Sequence, residues 1–470
     1  MLKVTLGTLT TIFGIVASII IFYWRDIGFE PTSKDLFLIF IVLPILLTIG
    51  VLSPLYITKW VEYRKEKEEK NLNSAQKNEN LDKVEENLEP AYIQLKLYNS
   101  SCIHTFGENK EIKRLIQESV WPELDDELTN QYGLPIVSYR IKNLKKITFD
   151  QDDVSYHSDF QVRMMSLIQH QLEQYTLEIQ SVIEHIKQST LFYNRQLAYE
   201  YKIHPAWLNS DLKILNLENV EEEVLQEISK LSYFNVHLIL AESVLHSFDE
   251  VFIFESIKEQ LFNLGILKQQ VNINFHYCKQ NNAYKNWFEL MKTLENVLDE
   301  VSLIIVADSE INQDIIDGKQ YIKGNYIPAE FACGCLISSP NLVVENLTPI
   351  KNLYIIENEN NLNNSLEKLN IKNAPQFENE QPFVVLLDSI DGAKISKQIN
   401  QFFSSTLIET QHFLLSKQSL GHTQTLSEIW GMMLGTQIAE DEFNLVFSTK
   451  YPEIQVFILP YEPNNAAVKD

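Results

Sequence analysis

Cysteine, glycine and positive charge are what this 470-residue sequence is short of, and each shortage removes a class of function. Four cysteines, Cys102, Cys278, Cys333 and Cys335, are too few for a disulfide framework and too irregularly spaced for a four-thiolate zinc site, which points to a reducing compartment. Only 14 glycines are present. Ala241, Glu242 and Ser243 follow the first strong strand pattern of the alternating region, so neither a dinucleotide fingerprint nor a P-loop is formed there. Lys and Arg number 39 against 63 Asp and Glu, a formal charge of −24. A body this acidic repels a phosphate backbone, and without a basic stripe carrying aromatics nucleic acid is not an expected partner. No glycine-x-serine-x-glycine elbow, HExxH helix or aspartate-rich calcium loop occurs, which argues against hydrolase and metalloprotease chemistry.

Long hydrophobic runs are present, confined to the first sixty residues. Val4–Tyr23 and Leu36–Thr58 contain no charged side chain, and each can cross about 30 Å of hydrocarbon as a helix. Pro44 and Pro54 do not exclude the second span, because transmembrane helices tolerate proline. Two transmembrane helices are therefore expected over 1–60, with Val4, Tyr23, Leu36 and Thr58 bounding the anchor. Lys3 precedes the first span and Lys59, Arg64, Lys65, Lys67 and Lys70 follow the second, whereas only Arg25 and Lys34 lie between them. The positive-inside rule then places both termini in the cytoplasm.

Residues 61–90 are mostly charged or amide and read as a tether. Folding is expected from residue 91, where Ile93, Leu95 and Leu97 alternate with polar Gln94 and Lys96 as in a strand. Apolar residues at helical spacing predict one long helix over Phe160–Ser189. Tyr233–Leu240, Val271–Tyr277 and Val301–Ala307 read as strands, separated by helices at Phe254–Leu264 and Ala283–Asp299. That β-α-β-α-β unit implies parallel pairing in a sheet covered by helices. Further strands are expected at Ala329–Ser338, Leu353–Glu357, Phe383–Asp388, Asn444–Ser448 and Ile454–Leu459, with helices at 361–369, 394–405 and from Thr425. The domain plan is an N-terminal α/β part over 91–230, a second part over 231–460, and a tail over 461–470. No internal repeat is visible at periods of 20 to 50 residues.

Candidate chemistry is sparse. His170 and His185 lie on the long helix without a second ligand at i+4 and read as solvated or paired. His276 and Cys278 share a strand face, where two ligands fit a half-buried core pair better than a metal site. Cys102 and His104 share a strand-end run with no placed partner, Asp388 and Asp391 fit a turn bonding its own backbone, and Glu221, Glu222 and Glu223 fit a solvated helix start. No metal and no cofactor is expected.

Three patterns resemble the C-terminal half of thiolase-fold ketosynthases: Val301–Val306 running into Ala307, Asp308 and Ser309; Tyr326, Ile327, Pro328, Ala329 and Glu330 leading into Phe331–Leu336; and Leu420, Gly421, His422 and Thr423 opening a helix. The resemblance covers about residues 231–460. It implies a cysteine and two histidines, of which only His422 has a counterpart, since Leu387, Asp388, Ser389, Ile390, Asp391 and Gly392 stand where the first histidine belongs. The expected fold is thus α/β: a transmembrane hairpin followed by a cytoplasmic thiolase-like mixed-sheet domain with helices on its faces. His422 is a vestigial candidate, and the chain is read as a pseudoenzyme rather than an enzyme. With its hydrophobic N-terminus it also resembles the adaptor proteins of bacterial type VI secretion that load lipase effectors. That resemblance implies an inner-membrane scaffold, partnered by a lipase-type effector or secretion-machine subunits and compatible with a homodimer. The alternative is a membrane-associated acyl-transfer or thioester-binding protein of ketosynthase-like type.

Overall fold

Runs of β-branched and aromatic residues bury both faces of their strands, and these residues build the centre of the protein. The computed structural model describes residues 90–145, 158–208, 228–245, 247–320, 326–359, 361–371, 384–387, 413–437, 442–448 and 450–462, together with Phe403 and scattered positions between 11 and 43. Contacts divide the chain into Met1–Leu88 and Glu89–Asp470. In the first unit the described positions from 11 to 26 are mostly helical, and the rings of Phe13 and Phe40, one from each apolar stretch, lie 6.3 Å apart. About half of the first expected span is described, as helix, whereas nearly all of the second lies outside the described residues, among which no helix is long and apolar enough to cross a membrane. The 61–90 tether (except Pro90), the 394–405 helix (except Phe403), Asp388, Asp391 and Glu221–Glu223 also lie outside them, as does the tail beyond residue 462.

The second unit carries an 11-stranded sheet among its described residues. Its strands are β1 (Ala91–His104), β2 (Gly107–Glu108), β5 (Tyr233–Ala241), β6 (Val271–Cys278), β7 (Glu300–Ser309), β8 (Glu330–Ser338), β9 (Lys351–Glu357), β10 (Val384–Leu387), β11 (Phe413–Leu415), β12 (Asn444–Phe447) and β13 (Ile454–Pro460). β3 (Glu123–Thr129) and β4 (Pro135–Ser138) form a separate hairpin. Across the main sheet the order is β6-β5-β7-β8-β1-β9-β13-β12-β10-β11, with β2 on the end of β1. This order is a palindrome. β5 pairs in parallel with β6 and β7, β8 runs antiparallel to both β7 and β1, and the same relations join β10, β11, β12, β13 and β9. β1 and β9 meet antiparallel at the centre, with Gln94 opposite Tyr354. The chain therefore repeats one five-strand topology twice, and β1, from the expected 91–230 part, completes the first copy.

Helices cover both faces: α1 (Lys110–Gln117), α2 (Asp159–Gln174), α3 (Thr176–Tyr193), α4 (Arg195–Lys202), α5 (Glu250–Asn263), α6 (Ala283–Glu295), α7 (Gln313–Gln320), α8 (Leu362–Lys368) and α9 (Ser427–Thr436). α6 follows the second parallel strand of one copy and α9 that of the other. They touch, and Trp287, Phe288 and Met291 share one core with Ile429, Trp430 and Met433. On the opposite face of the first copy, α2, α3 and α5 pack Met164, Ile168, Ile183 and Ile257 over Val236, Leu238, Leu303 and Ile305.

The single helix expected over Phe160–Ser189 is two, broken at Tyr175, whose φ of −103° and ψ of 11° leave the helical region. The break drops the Tyr175 ring onto Gly334, where an added Cβ would lie 2.9 Å from it, and lets Ser101 Oγ donate to the phenol at 3.0 Å. β1 is also longer than expected and bulged between Leu97 and Asn99. Before the bulge Ile93, Leu95 and Leu97 face the α6/α9 core; after it Cys102 does, while Ile103 faces the other core.

Candidate functional site

The second and third sequence patterns, ninety-odd residues apart, are held together by backbone. His422 donates its N–H to Ile327 O at 2.9 Å, and the Ile327 N–H donates to His422 Nδ1 at 2.9 Å. Thr423 Oγ1 accepts from the Ala329 N–H at 2.9 Å and donates to Ala329 O at 3.3 Å. Gly421 makes the approach feasible: its φ is +51°, and a Cβ there would meet Ile327 O at 2.5 Å. Thr423 precedes the helix and serves this bridge: α9 begins only at Ser427 and has no side-chain cap. With Nδ1 accepting, the neutral His422 ring carries its proton on Nε2. The ring is half-buried and stacks on Tyr326, centroids 4.9 Å apart.

Behind Tyr326 lies a carboxylate cluster at the end of β7. The Tyr326 phenol and the Lys319 ammonium both donate to Glu310, and Lys319 Nζ lies 3.0 Å from the phenol oxygen. Burial, with the Glu310 charge adding to it, raises the Tyr326 phenol well above its ordinary value. Asp308 is 1% exposed, and its Oδ2 has no hydrogen-bond partner among the described residues. Burial first and Glu310 second push its carboxyl up to about 8, so it is mostly protonated at neutral pH. On the other sheet face Glu330 is fully buried and takes hydrogen bonds from Arg163, Ser309 Oγ (3.1 Å) and the Ile141 N–H (2.6 Å).

β1 brings a second histidine near the same loop. His104 Nδ1 accepts from the Phe106 N–H at 3.3 Å, so Nε2–H donates to Ser419 O at 3.0 Å. Burial pushes this imidazole down to about 3, against the opposing pull of the Ser419 carbonyl. Beside it an apolar groove of about 360 Å³ is lined by Phe106, Ile116, Trp121, Tyr139, Ile327 and Gly421, among others. Lys417 and Glu428, 3.9 Å apart, flank the same loop.

The cysteines are kept from chemistry. Cys102 and Cys333 face each other across β1 and β8, Cys335 follows on the same face, and all four thiols of the chain are buried. Burial raises Cys333 well above the usual thiol value and also raises Cys335 and Cys278. Cys278 ends β6 and, with His276, Asn286 and Trp287, lines a cavity of about 380 Å³. The turn that follows is strapped down: Lys450 Nζ donates to Gln280 O at 2.9 Å and the Tyr451 phenol to Asn281 O at 2.7 Å.

His422 and His104 are thus brought to one loop, while Cys278 stands at another strand end. His185 is the paired helix histidine expected, accepting from the Glu345 N–H (2.9 Å) and donating to Ser229 O (2.7 Å); His170 lies 3.5 Å from Glu108. Sequence reasoning gave no role to Arg163, Glu310, Lys319, Lys417 or Glu428. Glu310 and Glu330 carry a readable signal, since an acidic residue inside or directly after an otherwise apolar strand demands a buried partner.

No protein-family model and no curated protein matches this sequence. Among solved structures the chain is similar to the ketosynthase from module 6 of the bacillaene synthase of Bacillus subtilis 168, at 9% identity and a TM-score of 0.43, over 78% of this chain and 72% of that one. Ketosynthase twelve of the bacillaene polyketide synthase of Bacillus amyloliquefaciens gives 8% and 0.41, over 78% and 73%. Human mitochondrial 3-ketoacyl-CoA thiolase gives 8% and 0.30, over 50% and 87%. What the described chain itself defines is a mixed α/β protein built on one large mixed sheet with helices on both faces.

Proposed function

We propose that this chain is a thiolase-like protein of ketosynthase type that holds an acyl thioester or acylated partner at a membrane and forms no acyl-enzyme of its own. One observation carries the reading: the Ile327 N–H fixes His422 Nδ1 as an acceptor, so the neutral ring presents Nε2–H, a donor suited to polarising a thioester carbonyl. Covalent transfer would need a thiolate beside a base, and every thiol in the chain is buried. The apolar groove that begins at Gly421 offers space for an acyl chain. The membrane assignment is supported by the charge-free stretches Val4–Tyr23 and Leu36–Thr58, by the Phe13–Phe40 approach, and by the exposure of Ile19, Phe22 and Tyr23. The lysines and arginines that flank these stretches support a topology with both termini in the cytoplasm, proposed for a bacterial inner membrane.

A second reading, the non-catalytic adaptor that loads a lipase-type effector for type VI secretion, is favoured by a surface observation. Trp121, Leu124, Tyr132 and Leu134 are exposed around the β3–β4 hairpin, and large apolar side chains grouped on a surface suit protein docking. One experiment separates the two. Full-length protein and a His422→Ala copy are captured from gently solubilised membranes, and both the retained partners and the intact mass of the chain are measured. Acyl carrier protein or an acylated peptide retained by the parent and lost by the variant, with no acyl adduct on the chain, supports thioester binding. A lipase-type toxin retained equally by both supports the adaptor, and an acyl adduct on the chain refutes the non-covalent reading.

A further inference from the structure

Away from the His422 loop, the outer end of the first sheet copy carries a polar face unlike the rest. Asn235 and His237 on β5 stand beside Asn272, Asn274 and His276 on β6, the terminal strand of the described sheet order. Asn272 Nδ2 donates to Asn235 Oδ1 at 3.0 Å, and Asn235 Nδ2 donates to Glu300. His237 Nδ1 and His276 Nε2 face one another 3.0 Å apart, and the rings are inclined by 30° with centroids separated by 5.3 Å. His237 is 7% exposed, and its Nε2 has no hydrogen-bond partner among the described residues. Two imidazole nitrogens that face one another at hydrogen-bond distance hold a single proton between them, and a cation can take that proton's place.

We propose that His237 Nδ1 and His276 Nε2, with the side-chain oxygen of Asn274, bind a divalent transition-metal ion of the zinc class. Two imidazole nitrogens and a carboxamide oxygen make a borderline donor set, which suits zinc, nickel or copper. An ion about 2.0–2.1 Å from each nitrogen in tetrahedral geometry holds those nitrogens about 3.3 Å apart, so the rings need separate by only a few tenths of an ångström. Asn274 pairs in register with His237 and shares the face of His276, which puts a third donor residue beside both rings. Asn235, His237, Asn274, Lys258 and Glu300 line a cavity of about 480 Å³, giving the ion a route from solvent and space for a water as fourth ligand. Burial holds both imidazoles in the neutral form that a metal needs: it is the main cause that lowers His237 to about 4, and it lowers His276 as well. The Glu300 carboxylate favours the ion and the Lys258 ammonium opposes it. Binding moves the one proton shared between the facing nitrogens to the other nitrogen of the ring that carries it, so both imidazoles stay neutral and no proton is released; no redox step is involved.

The test uses the full-length chain stripped with a chelator and titrated with Zn²⁺ in competition with a chromophoric indicator, and with Cu²⁺ for electron paramagnetic resonance. One equivalent is expected to bind, weakened by about 100-fold or more in His237→Ala and His276→Ala and by about 10-fold in Asn274→Ala. The copper spectrum should show coupling to two nitrogens. That spectrum, taken on the parent chain, decides the matter if a variant fails to fold. Binding unchanged in both histidine variants, no saturable equivalent, or a copper spectrum without two nitrogens overturns the proposal.

Discussion

Replacing Arg163 by methionine tests how strongly α2 is tied to the buried Glu330 carboxylate of β8. Glu330 is fully buried in β8, and Arg163 on α2 supplies its counter-charge while Nη2 also donates to Ile141 O at 2.8 Å. Methionine retains most of the stem packing but leaves a carboxylate in the core with only Ser309 Oγ and the Ile141 N–H as donors. Removing one partner of such a pair costs about 3–5 kcal/mol, most of it the unpaired buried charge. Glu330→Gln leaves Arg163 able to turn toward water and should cost less, about 1–3 kcal/mol. The double variant carries no charge at the site, so it should be more stable than Arg163→Met alone despite one further substitution. Equilibrium urea unfolding followed by tryptophan fluorescence reads all three. Single-variant costs that add within about 0.5 kcal/mol, or an Arg163→Met cost below about 1 kcal/mol, would refute the buried-charge account.

Other outcomes follow from the same geometry. His104 sits near 3 when folded against an ordinary imidazole value of 6.5, so its contribution is complete above pH 6.5 and erodes as pH falls toward 3. The slope is about 1.4 kcal/mol per pH unit in that window, and an unfolding series in which His104→Gln keeps the parent slope would contradict it. Gly334→Ala forces a Cβ to 2.9 Å from the Tyr175 ring and should cost about 1–3 kcal/mol in thermal or urea melts. Gly318→Ala, on α7 with nothing within 4 Å, should be neutral or stabilising by up to about 1 kcal/mol, and equal effects at both glycines would sink the steric argument. None of the four buried thiols should react with a disulfide reagent in the folded protein at pH 8, whereas all four should react in urea; rapid loss of one native equivalent would reopen covalent chemistry at Cys278.

The sequence made some layers of this fold legible and hid others for identifiable reasons. β5, β6 and β7 were readable because each is an uninterrupted apolar or alternating run and helical segments separate the three. β3 was not, since Glu123–Thr129 is mostly acidic and lacks β-branched residues apart from Thr129. The duplication leaves no sequence trace: the copies share strand order and direction, whereas residues such as Trp287 and Trp430 reach the common core from helices of different length. Helical spacing continues through Tyr175, so only the tertiary pull toward Gly334 reveals the break. His422 could be found from its glycine-histidine-threonine context. Its tie to Ile327 depends on a contact across 95 positions, and that of Arg163 to Glu330 on one across 167. Local pattern contains neither.

The bulge in β1 acts on the chain much as a single-nucleotide insertion acts on a reading frame. Asn99–His104 are out of phase with Ala91–Leu97 when counted along the sequence, and the extra residue, Tyr98, lets both halves keep their faces. Deleting Tyr98 would remove the bulge: Asn99 would follow Leu97 directly, and Asn99–His104 would keep their β8 partners, with Cys102 still opposite Cys333. A single insertion finds no such slack. It would force a second bulge or turn the residues after it to the other face, because the β9 pairing fixes the first half of the strand. Length changes in this strand are therefore asymmetric, one residue being removable at the bulge and none addable without a new one, a constraint set by two neighbours, β8 and β9, that grip the same strand in different frames.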